Sequence, residues 1–158
     1  MIRRVLFPVL LLLLGCNAKK QVGNPNLEAN ENIAIEITHI SDSKIQFNIV
    51  NETKNAVLLH NHYKLNIEKD VDGVWEKLRI LNCPCGAPCA KPAEFIQIES
   101  GNNYFYEWNA EESWCGSVNN MGVPDTITEK VKPGKYRIVI IYSTDQKNKR
   151  VIYKEFKI

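Results

Sequence analysis

Downstream of residue 32, apolar side chains recur at every second position, a spacing that builds strands and argues against helices. Ile33, Ile35 and Ile37 alternate with Ala34, Glu36 and Thr38, and Ile45, Phe47 and Ile49 alternate with Lys44, Gln46 and Asn48. Tyr63, Leu65 and Ile67 alternate with Lys64, Asn66 and Glu68, and Tyr104, Tyr106 and Trp108 share one face of a further strand. A period of two sends one set of side chains to a core and the other to water. Ile138 to Tyr142 is continuously apolar, the pattern of a central strand covered on both faces. Turns punctuate the strands at Val71-Asp72-Gly73, ahead of Trp75, at Ser100-Gly101-Asn102-Asn103, and at the polar tip from Asp145 to Lys149 before the closing strand Val151 to Ile158. No stretch sustains a 3.6-residue period. The expected fold is an all-β antiparallel sandwich of about eight short strands in a single domain over residues 32–158. Helix is confined to at most one turn, placed in a loop over 109–122.

The first residues have a different character. Arg3 and Arg4 form a positive head, and Val5 to Leu14 is an apolar run of ten residues, half of what a membrane-spanning helix needs. That is the size of a signal-peptide core. Leu13, Leu14, Gly15 and Cys16 follow, which resembles a bacterial lipobox: two aliphatics, a small residue, then cysteine. The resemblance implies cleavage between Gly15 and Cys16 and a diacylglyceryl group on the Cys16 sulfur. Each buried methylene contributes ~0.8 kcal/mol and one acyl chain alone binds marginally, so two or three chains on Cys16 hold the protein at a membrane. Asn17 at the second mature position implies release from the inner membrane, by resemblance to enterobacterial sorting. The expected location is the bacterial cell envelope, and the outer membrane where there is one.

Residues 17–31 are polar, with Gly23, Pro25 and several Asn, and read as a flexible tether behind the lipidated Cys16. Fifteen such residues span roughly 20 Å root-mean-square. The chain has 20 Lys and Arg against 18 Asp and Glu, and the excess of two is Arg3 and Arg4. Without residues 1–15 the charges balance, which leaves no electrostatic footprint for nucleic acid.

A family resemblance rests on the order of several motifs. Ile45, Phe47, Ile49, Asn51 and Thr53 are followed by Leu59, then Tyr63, Leu65 and Ile67, then Asp72-Gly73 and Trp75. Ile98 and Gly101 precede an aromatic strand ending in Trp108, and Val131, Pro133-Gly134 and Tyr136 complete the pattern. The sequence resembles the BsuPI-type immunoglobulin-like domain, named for an intracellular proteinase inhibitor. The resemblance implies an immunoglobulin-like sandwich, and the large aromatics Trp75 and Trp108 are expected in its core. It also implies that Pro133 and Gly134 turn the chain into a strand where Tyr136 forms a tyrosine corner, its hydroxyl bonded to nearby backbone. This chain departs from that family in its export signal, its lipidation motif and its Cys-rich insertion. Its fold is carried over and its inhibitory activity, a property of a cytoplasmic member, is not.

With Cys16 acylated, Cys83, Cys85, Cys89 and Cys115 remain. An even number in an exported chain favours disulfides. Cys83 and Cys85 flank a single Pro and would be strained as a pair. Cys115 is expected to pair with one member of the cluster while the other two close a small loop. The alternative is metal: four thiolates suit a tetrahedral zinc site or, with fewer ligands, Cu(I). His60 and His62 would share one side of a strand over 56–63 and extend such a site. A thiol redox role is a third reading, since Cys85-Gly86-Ala87-Pro88-Cys89 echoes a redox motif without its C-x-x-C spacing or a βαβ setting.

Signatures of hydrolases, metalloproteases and phosphate-binding loops are missing from the sequence. Glu111 and Glu112 are adjacent, so they read as a solvated edge rather than an acid–base pair across a cleft. Trp114, beside Cys115, is expected on a disulfide or at a binding surface. The expected function is a non-enzymatic, cofactor-free interaction domain held to the membrane through Cys16. Its contact surface would be the cysteine-rich 80–93 segment with 109–122. An envelope zinc- or copper-binding role and proteinase inhibition are the alternatives.

Overall fold

The computed structural model describes residues 33–41 and 43–158. The expected signal segment 1–15 with Gly15, and the expected lipidation site Cys16 with the tether expected over 16–31, lie outside the described residues. Eleven strands follow one another: β1 (Ile33–Ser41), β2 (Lys44–Asn51), β3 (Val57–His60), β4 (Ile67–Val71), β5 (Val74–Lys77), β6 (Phe95–Ile98), β7 (Asn103–Trp108), β8 (Glu111–Val118), β9 (Pro124–Lys130), β10 (Lys135–Ser143) and β11 (Arg150–Lys157). All pairings are antiparallel.

The strands form two facing sheets and one added hairpin. One sheet has the order β1-β2-β7; in the other, β10 is the spine, with β11 on one side and β3 and β4 on the other. β3 and β4 run in the same direction along β10, since His60 faces Ile141 and Ile67 faces Ile138. They are two halves of one strand, broken where residues 61–65 leave the ladder; the Asn66 carbonyl already accepts from the Val139 amide of β10 at 2.9 Å. β6 extends the sheet beyond β3, and β5 beyond β4.

The core lies between the sheets and follows the period of two. Ile45, Phe47 and Ile49 of β2 meet Tyr136, Ile138 and Ile140 of β10, all at most 3% exposed. Aromatic rings cross the gap: Phe47 lies 5.3 Å from Phe156 and Trp108 lies 6.1 Å from Tyr136. Each buried Ile or Phe contributes about 1.5–3 kcal/mol, and edge-to-face ring pairs add to that. Tyr136 donates its hydroxyl hydrogen bond to the Lys132 carbonyl, the tyrosine corner, with Pro133 and Gly134 in the turn between them. Gly134 also exchanges backbone hydrogen bonds with Ile158, which joins that turn to the C-terminus.

Four expectations need correction. Among the described residues the count is eleven strands rather than about eight, partly because one strand is split and partly because β8 and β9 exist. Residues 109–122 are not a loop with a helical turn: most of them form β8 and the turn of the β8–β9 hairpin. The sequence Glu-Glu-Ser-Trp-Cys-Gly-Ser-Val lacks a clean alternation, since this hairpin sits beside the sandwich and buries no single face. The alternation over Tyr63, Leu65 and Ile67 is strand only from Ile67 onward. Asn61 has a positive φ of 52° and starts the detour. Trp75 is not a core residue. It lies half-buried on the outer face of the sheet, 4.4 Å from the Arg137 guanidinium. Its neighbour across the ladder, Asp70, points the same way as Glu68, which pairs with Arg137 at 2.6 Å.

Candidate functional site

The cysteines form two disulfides. Cys83 pairs with Cys89 over a Cα separation of 6.4 Å, and Cys85 pairs with Cys115 over 5.6 Å. The first closes a small loop between cysteines six positions apart; the second ties that loop to β8, thirty residues away. All four sulfurs are engaged, so none offers a thiolate to a metal. Among the described residues no group of three or more His, Cys, Asp and Glu could hold an ion.

Backbone and side-chain contacts reinforce the second disulfide. The Ser113 amide donates to the Arg79 carbonyl at 2.7 Å, and the Leu81 amide donates to Ser113 Oγ at 2.8 Å. The Cys85 amide donates to Thr126 Oγ1 of β9 at 2.9 Å. Arg79 donates from its backbone and its guanidinium to Glu112 Oε1, and the guanidinium lies 3.9 Å above the Trp114 ring. Trp114 therefore packs on Arg79. Gly86, at a φ of +74°, passes so close to Val123 Cγ1 that any side chain would collide with it. The hairpin and the 78–89 segment are thus one clamped unit that leaves Met121, 83% exposed, at the hairpin tip.

Beneath this unit runs a groove of about 460 Å³. Its walls are His62 and Tyr63 from the strand break, Ile80 to Asn82, residues 104–108 of β7, and Glu111, Ser113 and Thr128 of the hairpin. Tyr104 and Tyr106 meet edge to face at 5.0 Å. The Tyr104 hydroxyl donates to the His62 carbonyl at 3.4 Å, and Trp108 Nε1 donates to the Glu111 carbonyl at 2.9 Å. These two bonds brace the groove near each end of β7. Burial, reinforced by the neighbouring Tyr104 phenol, pushes the Tyr106 hydroxyl far above its usual range, so it remains protonated.

His60 and His62 do not share a face. His60 ends β3 and is buried, its Nε2 2.8 Å from Ser143 Oγ of β10. His62 lies past the strand break, edge to face with Tyr63 and Tyr104. Two histidines at i and i+2 share a side only while the strand continues, and the left-handed Asn61 between them ends it. The His60–Ser143 pair has the spacing of a base and a nucleophile. Ser143 is fully buried, however, so no substrate reaches its hydroxyl. Burial lowers the His60 pKa, Lys149 lowers it further and Glu94 opposes them.

Arg79, Ser113, Thr126 and Ser143, which fasten the site and its neighbours, carry no sequence signal. Each acts through a partner more than thirty residues away. No protein-family model matches this sequence, and no curated protein matches it at a significant level.

Proposed function

We propose that this protein is a membrane-tethered, non-enzymatic binding module of the cell envelope, its ligand held in the groove between β7 and the disulfide-clamped hairpin. One observation supports the reading above the rest. Two disulfides and the Arg79–Glu112–Trp114 cluster fix a hairpin that adds nothing to the main core, yet walls a groove lined with tyrosines. Rigid walls reduce the ordering cost of binding, and Tyr gives much contact area for few rotamers. The tether and the lipid on Cys16 belong to the same proposal, and rest on the charged head, the apolar core and the lipobox. The BsuPI-type resemblance supports the sandwich as scaffold, and the loops and groove at its side as the working surface.

Photo-crosslinking in living cells tests the reading. A benzophenone amino acid at Asn82 or Asn109, on the groove walls, gives discrete adducts, while the same probe at Val151 on β11 gives none. Equal labelling from all three positions, or none from any, refutes it. Fractionation tests the tether: Cys16→Ser moves the protein from membranes to the soluble fraction, and retention in membranes refutes lipid anchoring.

A further inference from the structure

The groove has a backbone edge as its floor. Tyr104, Phe105, Tyr106, Glu107 and Trp108 all line it, although successive residues of a strand point to opposite faces. Five consecutive residues can border one groove only where it runs along the side of the strand. β7 pairs with β2 on one side and, among the described residues, with no strand on the other. An unpaired edge presents a row of N–H and C=O groups to an incoming chain. Beyond Trp108 the chain turns at Ala110, whose φ is +53°, and β8 pairs with β9 instead of folding back onto β7. The hairpin that could have covered this edge thus stands off and walls it.

The charges along the groove have one sign. Its lining contains Glu107 and Glu111 and neither Lys nor Arg. Glu107 is taken up by Lys44 at 2.8 Å. Glu111 gives its backbone carbonyl to Trp108 and leaves its carboxylate without a partner among the described residues. Tyrosine rings and a free carboxylate form a set suited to a hydrogen-bond-donating cation.

We propose that the groove binds an extended peptide segment of a partner protein, which adds a strand to the free edge of β7 and places a Lys or Arg side chain against Glu111 and the tyrosines. Backbone pairing supplies affinity independent of sequence, and the basic side chain supplies selectivity. The proposal rests on the groove being the binding surface and goes further by naming what fills it.

Fluorescence anisotropy on the full chain in mild detergent tests it. The probes are labelled nine-residue peptides of alternating Thr and Val with a central Lys, Gln or Glu. A fourth carries the Lys with alternate amides N-methylated along one edge, in two registers. Expected is binding of the Lys peptide roughly tenfold tighter than the Glu peptide, the size of one desolvated cation contact. Both N-methylated registers are tested because one methylates the amides that face β7, and that one loses binding. Glu111→Gln, nearly isosteric, brings the Lys and Glu peptides to within about threefold of each other. Equal affinity for Lys, Gln and Glu peptides in the native chain overturns the charge assignment. Binding insensitive to both N-methylated registers overturns strand addition, as does binding of chitotetraose in place of every peptide. If none of the peptides binds while Asn82 and Asn109 still crosslink in cells, this inference fails and the binding-module reading stands. If the crosslinks fail too, both fall.

Discussion

His60 Nε2 lies 2.8 Å from Ser143 Oγ, joining β3 to β10 just before the chain leaves the ladder at Asn61. Both side chains are buried. This bond runs diagonally from His60, on the last rung before the strand break, to Ser143 two residues beyond its partner Ile141, and holds in place the element from which His62, Tyr63 and Leu65 reach the groove wall.

The His60 pKa is lowered from its ordinary value of 6.5, chiefly by burial and then by Lys149, with Glu94 opposing. Below that value the unfolded chain binds more protons than the folded one, so stability rises with pH there. The contribution is fully present above 6.5 and is lost as pH falls through the lower folded-state value. Urea unfolding at pH 5 and pH 7.5 should show a deficit at the acid end that shrinks in His60→Gln. An identical pH dependence in that variant contradicts the assignment. Ser143→Ala should cost about 1–3 kcal/mol at pH 7.5 by leaving a buried imidazole nitrogen unpaired.

Asn51 ends β2 and is fully buried. Its Nδ2 donates to the carbonyls of Asn55 and Ile98, and its Oδ1 accepts from the amide and hydroxyl of Thr53. One side chain therefore ties the 51–55 turn to β6. Asn51→Asp keeps the shape and loses both donors, and is expected to destabilise the domain by about 2–4 kcal/mol in chemical denaturation. A change below 0.5 kcal/mol would mean that the network contributes little.

The two disulfides differ in what they hold. Loop-closure entropy gives about 3–4 kcal/mol for Cys85–Cys115 and about 2 kcal/mol for Cys83–Cys89, from separations of 30 and 6 residues. Replacing Cys85 and Cys115 by Ser should raise hydrogen exchange across β8 and β9 much more than across β10, because the hairpin lies outside the main core. Uniform loss of protection would make the bond a global staple. Reduction of the unfolded chain should add about 4 Da, two hydrogens for each of the two bonds.

Tyr136→Phe removes the hydrogen bond to the Lys132 carbonyl and leaves the ring between Trp108 and Phe156. The expected cost is about 1–2 kcal/mol, read as a lower denaturation midpoint at unchanged m-value. A changed m-value would point to altered packing of the core instead.

Gly86→Ala is expected to loosen the cysteine loop twice over, by forcing a Cβ into Val123 and by placing alanine at a φ of +74°. The left-handed backbone alone costs about 1–2 kcal/mol. Val123→Ala in the same chain relieves the collision and leaves the backbone cost, so the double variant should recover only part of the loss. Full recovery would show that the backbone is not strained by alanine there.

The sandwich was legible in the residues because its cause is local. Ile45, Phe47 and Ile49 alternate with polar neighbours, and a half-buried strand can satisfy that alternation in only one way. The corner at Tyr136 and the turn at Asp72-Gly73 were equally local. The place of Trp75 is not legible in the sequence because its hydrophobicity says nothing about which face of a strand it occupies; Arg137 and Lys135 cover it on the outside. The β8–β9 hairpin was missed because it buries no single face and so shows no period.

By itself the sequence determined that the chain is built of antiparallel strands, that its turns fall at Gly-, Asn- and Asp-rich points, and that Cys83, Cys85, Cys89 and Cys115 lie within the strand-forming part of the chain. Backbone propensity and side-chain alternation act between near neighbours, so one dimension suffices to read them. The tertiary structure alone decided which sulfurs pair, that β3 and β4 are one broken strand, that His60 and His62 part company, and that β7 has, among the described residues, an unpaired edge beside Glu111. Those outcomes depend on segments thirty to eighty residues apart meeting in space, and nothing in the local pattern encodes such meetings.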